Sequence, residues 1–120
     1  MIGITQFPAA AGACVTMLKA FFNESYVLPN PVVPTADGSA LRPYVGPPLL
    51  VGSELDKLAT NVALGRTVAG VHWRSDAHEA LRHGEQVAVA AMYDMLRTFN
   101  EPFEGWSFTS FDGKLVEVRH

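Results

Sequence analysis

At 120 residues, with nine Lys and Arg against twelve Asp and Glu and a formal net charge of −3, the chain has the length of one domain and no basic surplus. That balance argues against recognition of a nucleic-acid backbone. Hydrophobic residues make up 48% and charged residues 18%, leaner in charge than the roughly 25% of an average soluble domain, and the apolar surplus implies burial against a partner.

The opening "MIGITQFPAAAGACVTML" lacks the basic residues of a secretory leader, and no apolar run approaches the roughly 18 to 20 residues that cross a bilayer, so a soluble chain without a membrane span is expected. In "AAAGACVTMLKAFFN", residues 9–23, Ala13, Met17, Leu18 and Phe21 recur at helical spacing and Asn23 can close the segment, which predicts a first helix. Cys14 is the single cysteine, so no intrachain disulfide can form, and its Ala-rich setting reads as that of a small core residue. Residues 24–52 hold six of the eight prolines, whose missing donors and fixed φ predict a long irregular loop over the surface or around a core. Within it "TADGSA" is the expected turn, because Asp-Gly supplies local hydrogen bonding and positive φ.

A second helix is predicted over 53–73, with Ser53 as N-cap and Asp56 at the capping-box position. Leu55, Leu58, Ala59, Val62, Ala63, Ala69 and either Val68 or His72 keep its 3.6-residue period. Ser75 opens a third helix over 75–99, with Ala77, Ala80, Leu81, Gly84, Val87, Ala88, Ala91, Met95 and Leu96 as its apolar face, and the small residues there invite close approach by another helix. The end, "GWSFTSFDGKLVEVRH", alternates around Asp112-Gly113 and predicts a hairpin over 106–118 with a tight type I′ turn. Two strands are marginal alone, so this ribbon must lie on the helices.

The chemistry concentrates in "GRTVAGVHWRSD", residues 65–76. Arg66 sits by the apolar face of the second helix, and a guanidinium cannot lose its proton to escape burial, so it must meet an anion. His72, six residues on, falls broadly on the same side of a continuous helix, and Asp76 can accept a hydrogen bond from it and set its tautomer. A fork of donors beside an oriented imidazole suits a tetrahedral oxyanion such as phosphate or vanadate. The competing reading is a packing histidine beside a plain Arg–Asp ion pair. His78, Glu79, Arg82, His83 and Glu85 read as a solvated face, Trp73 and Trp106 as core or rim, and His120 as a fraying end.

The spacing Arg, five residues, His, three residues, Asp resembles the last signature of the vanadium-dependent haloperoxidases and the related type 2 phosphatidic acid phosphatases. "GACVTMLKAFF", "GSELDKLATNVALGR" and "NEPFEGWSFTSFDGK" resemble the haloperoxidase branch, so the likeness runs from about Gly12 to Val118. It implies a mainly α fold: part of a haloperoxidase-like helical bundle, with the long Pro-rich loop and a short C-terminal β-hairpin. It implies vanadate as cofactor, Arg66 on its equatorial oxygens, His72 as axial ligand of vanadium (or as phosphorylated nucleophile in a phosphatase), and Asp76 holding His72. The implied reaction takes hydrogen peroxide and a halide to a hypohalous equivalent that halogenates a small organic substrate.

The family's site draws on two further signatures. The place of Pro-Ser-Gly-His, which supplies oxyanion donors and the acid–base histidine, reads "ITQFPAAAGACV", with Pro8 and no Ser-Gly-His after it. Arg42 of "LRPY" comes in the wrong order to stand for the first signature's arginine, and Lys19 is expected at the surface. The expectation is therefore the C-terminal part of such a fold, inactive alone and completed by self-association or a complementary N-terminal chain. A phosphatase of the same superfamily and a non-catalytic oligomeric helical module are the rivals.

Overall fold

The computed structural model describes residues 6–120. Residues 1–5, part of the stretch read above as lacking a leader, lie outside them. Helix α1 spans Gln6–Phe21, α2 Val51–Val68 and α3 Arg74–Leu96; strands β1 (Val32–Pro34) and β2 (Leu41–Pro43) form one antiparallel hairpin and β3 (Trp106–Thr109) and β4 (Leu115–Val118) another. The fold is mainly α with a C-terminal hairpin, as the periodicity predicts. No helix among the described residues is long and apolar enough to cross a membrane.

Glycine decides how the helices meet. A Cβ built on Gly84 would lie 2.0 Å from the Ala9 carbonyl oxygen, and one on Gly12 would lie 2.4 Å from that of Leu81, so α1 and α3 cross with backbone against backbone. On one side of this crossing Val15, Ala59, Ala63, Ala77 and Leu81 join all three helices into one cluster. On the other, Ala88, Met92 and Leu96 of α3 pack on Trp106, Phe108 and Val118 of the C-terminal hairpin.

The face that α1 buries differs from the expected one. Gly12, Val15, Thr16 and Lys19 turn inward, while Leu18, Phe21 and Cys14 are exposed. Cys14 is thus no core residue, and Lys19 is no surface residue: it is 1% exposed. Its ammonium lies 2.8 Å from Asp56 Oδ1, donates to the Thr109 carbonyl, and stands 4.7 Å from the centre of the Phe111 ring. Carboxylate, carbonyl and ring together replace the water that a lysine normally keeps.

Charged side chains also dock the hairpin. Glu24 accepts from Thr109 N–H at 2.9 Å, so with Lys19 both backbone groups of Thr109 are occupied. Glu85 accepts from Phe111 N–H at 2.9 Å, and Arg82 Nε donates to Asp112 at 3.1 Å. Arg82 and Glu85 therefore depart from the solvated face predicted for this part of α3, where His78, Glu79 and His83 are exposed. Burial pushes the Glu85 carboxyl up, and the Arg82 guanidinium holds Asp112 below the usual carboxylate range.

The hairpin turn is not type I′. Gly113 N–H donates to the Ser110 carbonyl and only Gly113 has positive φ (75°), whereas type I′ needs positive φ at both central residues. The longer Ser110–Lys114 loop lets Phe111 turn onto the ammonium of Lys19.

The Pro-rich segment is more regular than expected. Its base is closed by Val27 against Leu50, and its tip is the β1–β2 hairpin, in register Val32 with Pro43 and Pro34 with Leu41. The prolines fit because a two-stranded ribbon has free edges where a missing N–H costs nothing. "TADGSA" is the turn: Asp37 accepts from Thr35 Oγ1 and Ser39 N–H, which holds its carboxyl at about 2, and Gly38 has φ 71°. No residue from 20 to 51 is buried, so this segment projects as an arm rather than wrapping a core.

Candidate functional site

The residues singled out by spacing lie on a corner between two helices, not along one. Helix α2 stops at Val68, with Gly70 at φ 77°, Val71 N–H donating to the Arg66 carbonyl and Gly70 N–H to that of Thr67. This pair of bonds is a Schellman closure, in which a glycine in the left-handed region satisfies the last carbonyls and reverses the chain. The predicted continuation to residue 73 fails for that reason, and Gly70 was the signal for it. Gly70→Ala is expected to destabilise the fold by about 1 kcal/mol, because nothing crowds the position and only the φ is strained, while Gly70→Asn should cost less. Urea midpoints of the two variants check this; equal midpoints would remove the argument.

Arg66 therefore sits in the last turn of α2, and His72 follows in the reversal, off any helix. Trp73 is the N-cap of α3, and Asp76 Oδ2 accepts from its backbone N–H at 3.2 Å. That bond, and not a cap by Ser75, starts the helix. At the other end Leu50 is the N-cap of α2, so Ser53 and Asp56 lie inside the first turns and Asp56 is engaged by Lys19.

The corner holds an unusual concentration of unpaired polar atoms. Five buried side-chain nitrogen or oxygen atoms have no hydrogen-bond partner among the described residues; four of them are Arg66 Nε, Thr67 Oγ1, and Nδ1 and Nε2 of His72. Each such atom costs about 1–3 kcal/mol when nothing pairs it, and four of them fall within residues 66–72. The Arg66 guanidinium lies 4.6 Å from the ring centre of Phe7, which supports its planar face and leaves its edges free. Asp76 makes no hydrogen bond to His72 here, both of whose ring nitrogens are unpartnered.

The other candidates do not join this group. Arg42 stands on β2 in the projecting arm, and Lys19 is buried against Asp56. Among the described residues no three His, Cys, Asp or Glu side chains form a chelating set. Trp106 is core, while Trp73 is 79% exposed beside exposed Val68 and Val71, so the corner is apolar on its outside. Thr67 was not foreseen, since a threonine in a helix carries no sequence signal until its hydroxyl is found unpaired.

Comparison with known proteins shows what the chain around this corner is similar to. Over 109 residues the chain is 38% identical to a vanadium-dependent bromoperoxidase of Corallina officinalis, covering 90% of this chain and 18% of that protein. It is 39% identical to the Corallina pilulifera bromoperoxidase over the same shares, and 36% identical over 112 residues to that of Ascophyllum nodosum, covering 89% of this chain and 20% of that protein. The chain is a haloperoxidase-like segment. It spans about a fifth of the length of these relatives. No protein-family profile matches it. The match covers nearly the whole chain, so the Schellman corner near its middle belongs to the related region.

Proposed function

We propose that this haloperoxidase-like chain contributes one wall of a vanadate site, with Arg66 donating to oxyanion oxygens, His72 ligating through a ring nitrogen, and Thr67 offering a further hydroxyl. The observation that supports it is the cluster of buried, unpartnered atoms on these three residues. They fit a tetrahedral oxyanion: a guanidinium edge cannot be neutralised and calls for negative charge, and an imidazole with no internal partner is free to ligate. When bound, vanadate supplies a Lewis-acidic centre of constant oxidation state for oxidation of a halide by hydrogen peroxide. Arg66 contributes permanent positive charge and His72 an unengaged ring nitrogen. Asp76 is a positioning residue: by bonding Trp73 N–H it holds the backbone next to His72.

The remaining donors are expected from outside this wall, on a second copy or a complementary chain that also covers the exposed Leu18, Phe21 and Val87. Each charge-assisted bond is worth about 1.5–3 kcal/mol, so lacking three or four weakens vanadate binding by several powers of ten. Millimolar orthovanadate is therefore expected to raise the melting temperature of the chain slightly, and that of His72→Ala not at all. With peroxide and bromide the chain alone is expected to leave a phenol unbrominated. Absence of any vanadate shift removes the oxyanion reading and leaves a non-catalytic module; bromination that His72→Ala abolishes shows that the wall suffices by itself.

A further inference from the structure

Where α1 ends, the chain reads "FFNESY", residues 21–26. Of the four asparagines in the sequence only Asn23 has Ser or Thr two positions on with a residue other than proline between them. Asn-X-Ser is the acceptor pattern for N-linked glycans, and so short a pattern matters only where the backbone presents it at the surface. Here the backbone does. The Glu24 carbonyl accepts from Gly52 N–H at 3.0 Å and the Tyr26 carbonyl from Val51 N–H at 3.0 Å, which anchors the segment to the start of α2. A β-carbon built on Gly52 would lie 3.0 Å from that of Glu24, and the Glu24 carboxylate accepts from Thr109 N–H. With Glu24 pinned inward, Asn23 and Ser25 on either side of it are exposed.

The reacting groups are also arranged. Asn23 Oδ1 accepts from Ser25 N–H at 3.0 Å, closing an Asx turn that sets the carboxamide beside the serine. Neither Asn23 Nδ2 nor the Ser25 hydroxyl is engaged by another described residue. The carboxylate between them, which would oppose an approaching diphosphate, is held on Thr109 instead. Exposed Phe22 and Tyr26 flank the acceptor, and a hydrated glycan would shield that apolar surface from association.

We propose that Asn23 carries an N-linked oligosaccharide. In the transfer, Nδ2 bonds to the anomeric carbon of a sugar delivered on a polyprenyl diphosphate. The bond from that carbon to the diphosphate oxygen breaks, the lipid diphosphate leaves with the electron pair, and one Nδ2 proton passes to a base of the transferase. Transferase and lipid-linked donor meet in a secretory compartment, so the proposal also assigns the protein that route. It is independent of the vanadate reading, because it shares no residue with the α2–α3 corner.

The test begins with protein isolated from its native source, digested and treated with peptide N-glycosidase in heavy-oxygen water. The peptide that contains position 23 is expected to carry heavy-labelled aspartate there. The full chain secreted by a eukaryotic cell behind a leader is expected to run as a heavier band that the glycosidase collapses. Ser25→Ala should abolish that band and Ser25→Thr should keep it; Ser25 is exposed, so neither change disturbs the fold. Recovery of the native peptide with Asn23 unmodified, a secreted chain with no heavier band, or a band that survives Ser25→Ala overturns the proposal.

Discussion

Gly84→Ala is expected to lower stability by about 2 kcal/mol, although alanine is the better helix former. The added methyl would start 2.0 Å from the Ala9 carbonyl oxygen and 2.7 Å from the Ala13 nitrogen, both backbone atoms that no rotamer change can move. Helices α1 and α3 would have to part, loosening contacts on both sides of the crossing, and overpacking of this kind costs about 1–3 kcal/mol, or more where backbone opposes it. The propensity gain of roughly 1 kcal/mol offsets only part of this. For a chain of this length the melting temperature should fall by about 5–10 °C. Gly65→Ala is the control: it lies exposed on α2 with nothing within 4 Å, and the same exchange there should stabilise by up to about 1 kcal/mol. Opposite signs at two helical glycines would confirm that the crossing distance, and not propensity, sets the cost; equal signs would refute it.

The second large effect concerns the buried ammonium. Asp56→Ala is expected to destabilise by about 3 kcal/mol, and Lys19→Met by less, about 1 kcal/mol. Removing Asp56 strands a charge that is 1% exposed, whereas removing Lys19 leaves a carboxylate that water can still reach, since the Asp56 side chain is 38% exposed. Methionine also fills most of the lysine's volume and keeps contact with Phe108 and Phe111. The double variant should be close to Lys19→Met alone, a coupling that a double-mutant cycle in urea would measure. If the two single variants cost the same, Lys19 is not the buried member that governs the pair.

These predictions rest on features of different legibility. Three helices and a terminal hairpin follow from apolar spacing and Asp112-Gly113, and the small residues of α3 foretell a close helix neighbour, though not that Gly12 of α1 is the one that meets it. The stop of α2 was also written in the chain, at Gly70, but the apolar period through Val68 and Ala69 outweighed a single glycine. The buried face of α1 could not be read in this way. Leu18 and Phe21 are more hydrophobic than Lys19, yet Lys19 is inside, because its burial depends on Asp56, Thr109 and Phe111, whose nearest member is 37 residues away.

The same division runs through the candidate site. Residue identities alone determined which groups can meet an oxyanion, since a guanidinium keeps its charge in any environment and an imidazole ligates wherever it is free. They also carried the kinship with the bromoperoxidases, which depends on aligned positions and not on their placement in space. Only the tertiary structure decided that Arg66 and His72 lie across a Schellman corner, that Asp76 bonds the backbone of Trp73, and that four polar atoms at this corner lack partners among the described residues. Whether a polar atom is satisfied is a property of everything folded around it, and no local pattern of residues contains that information.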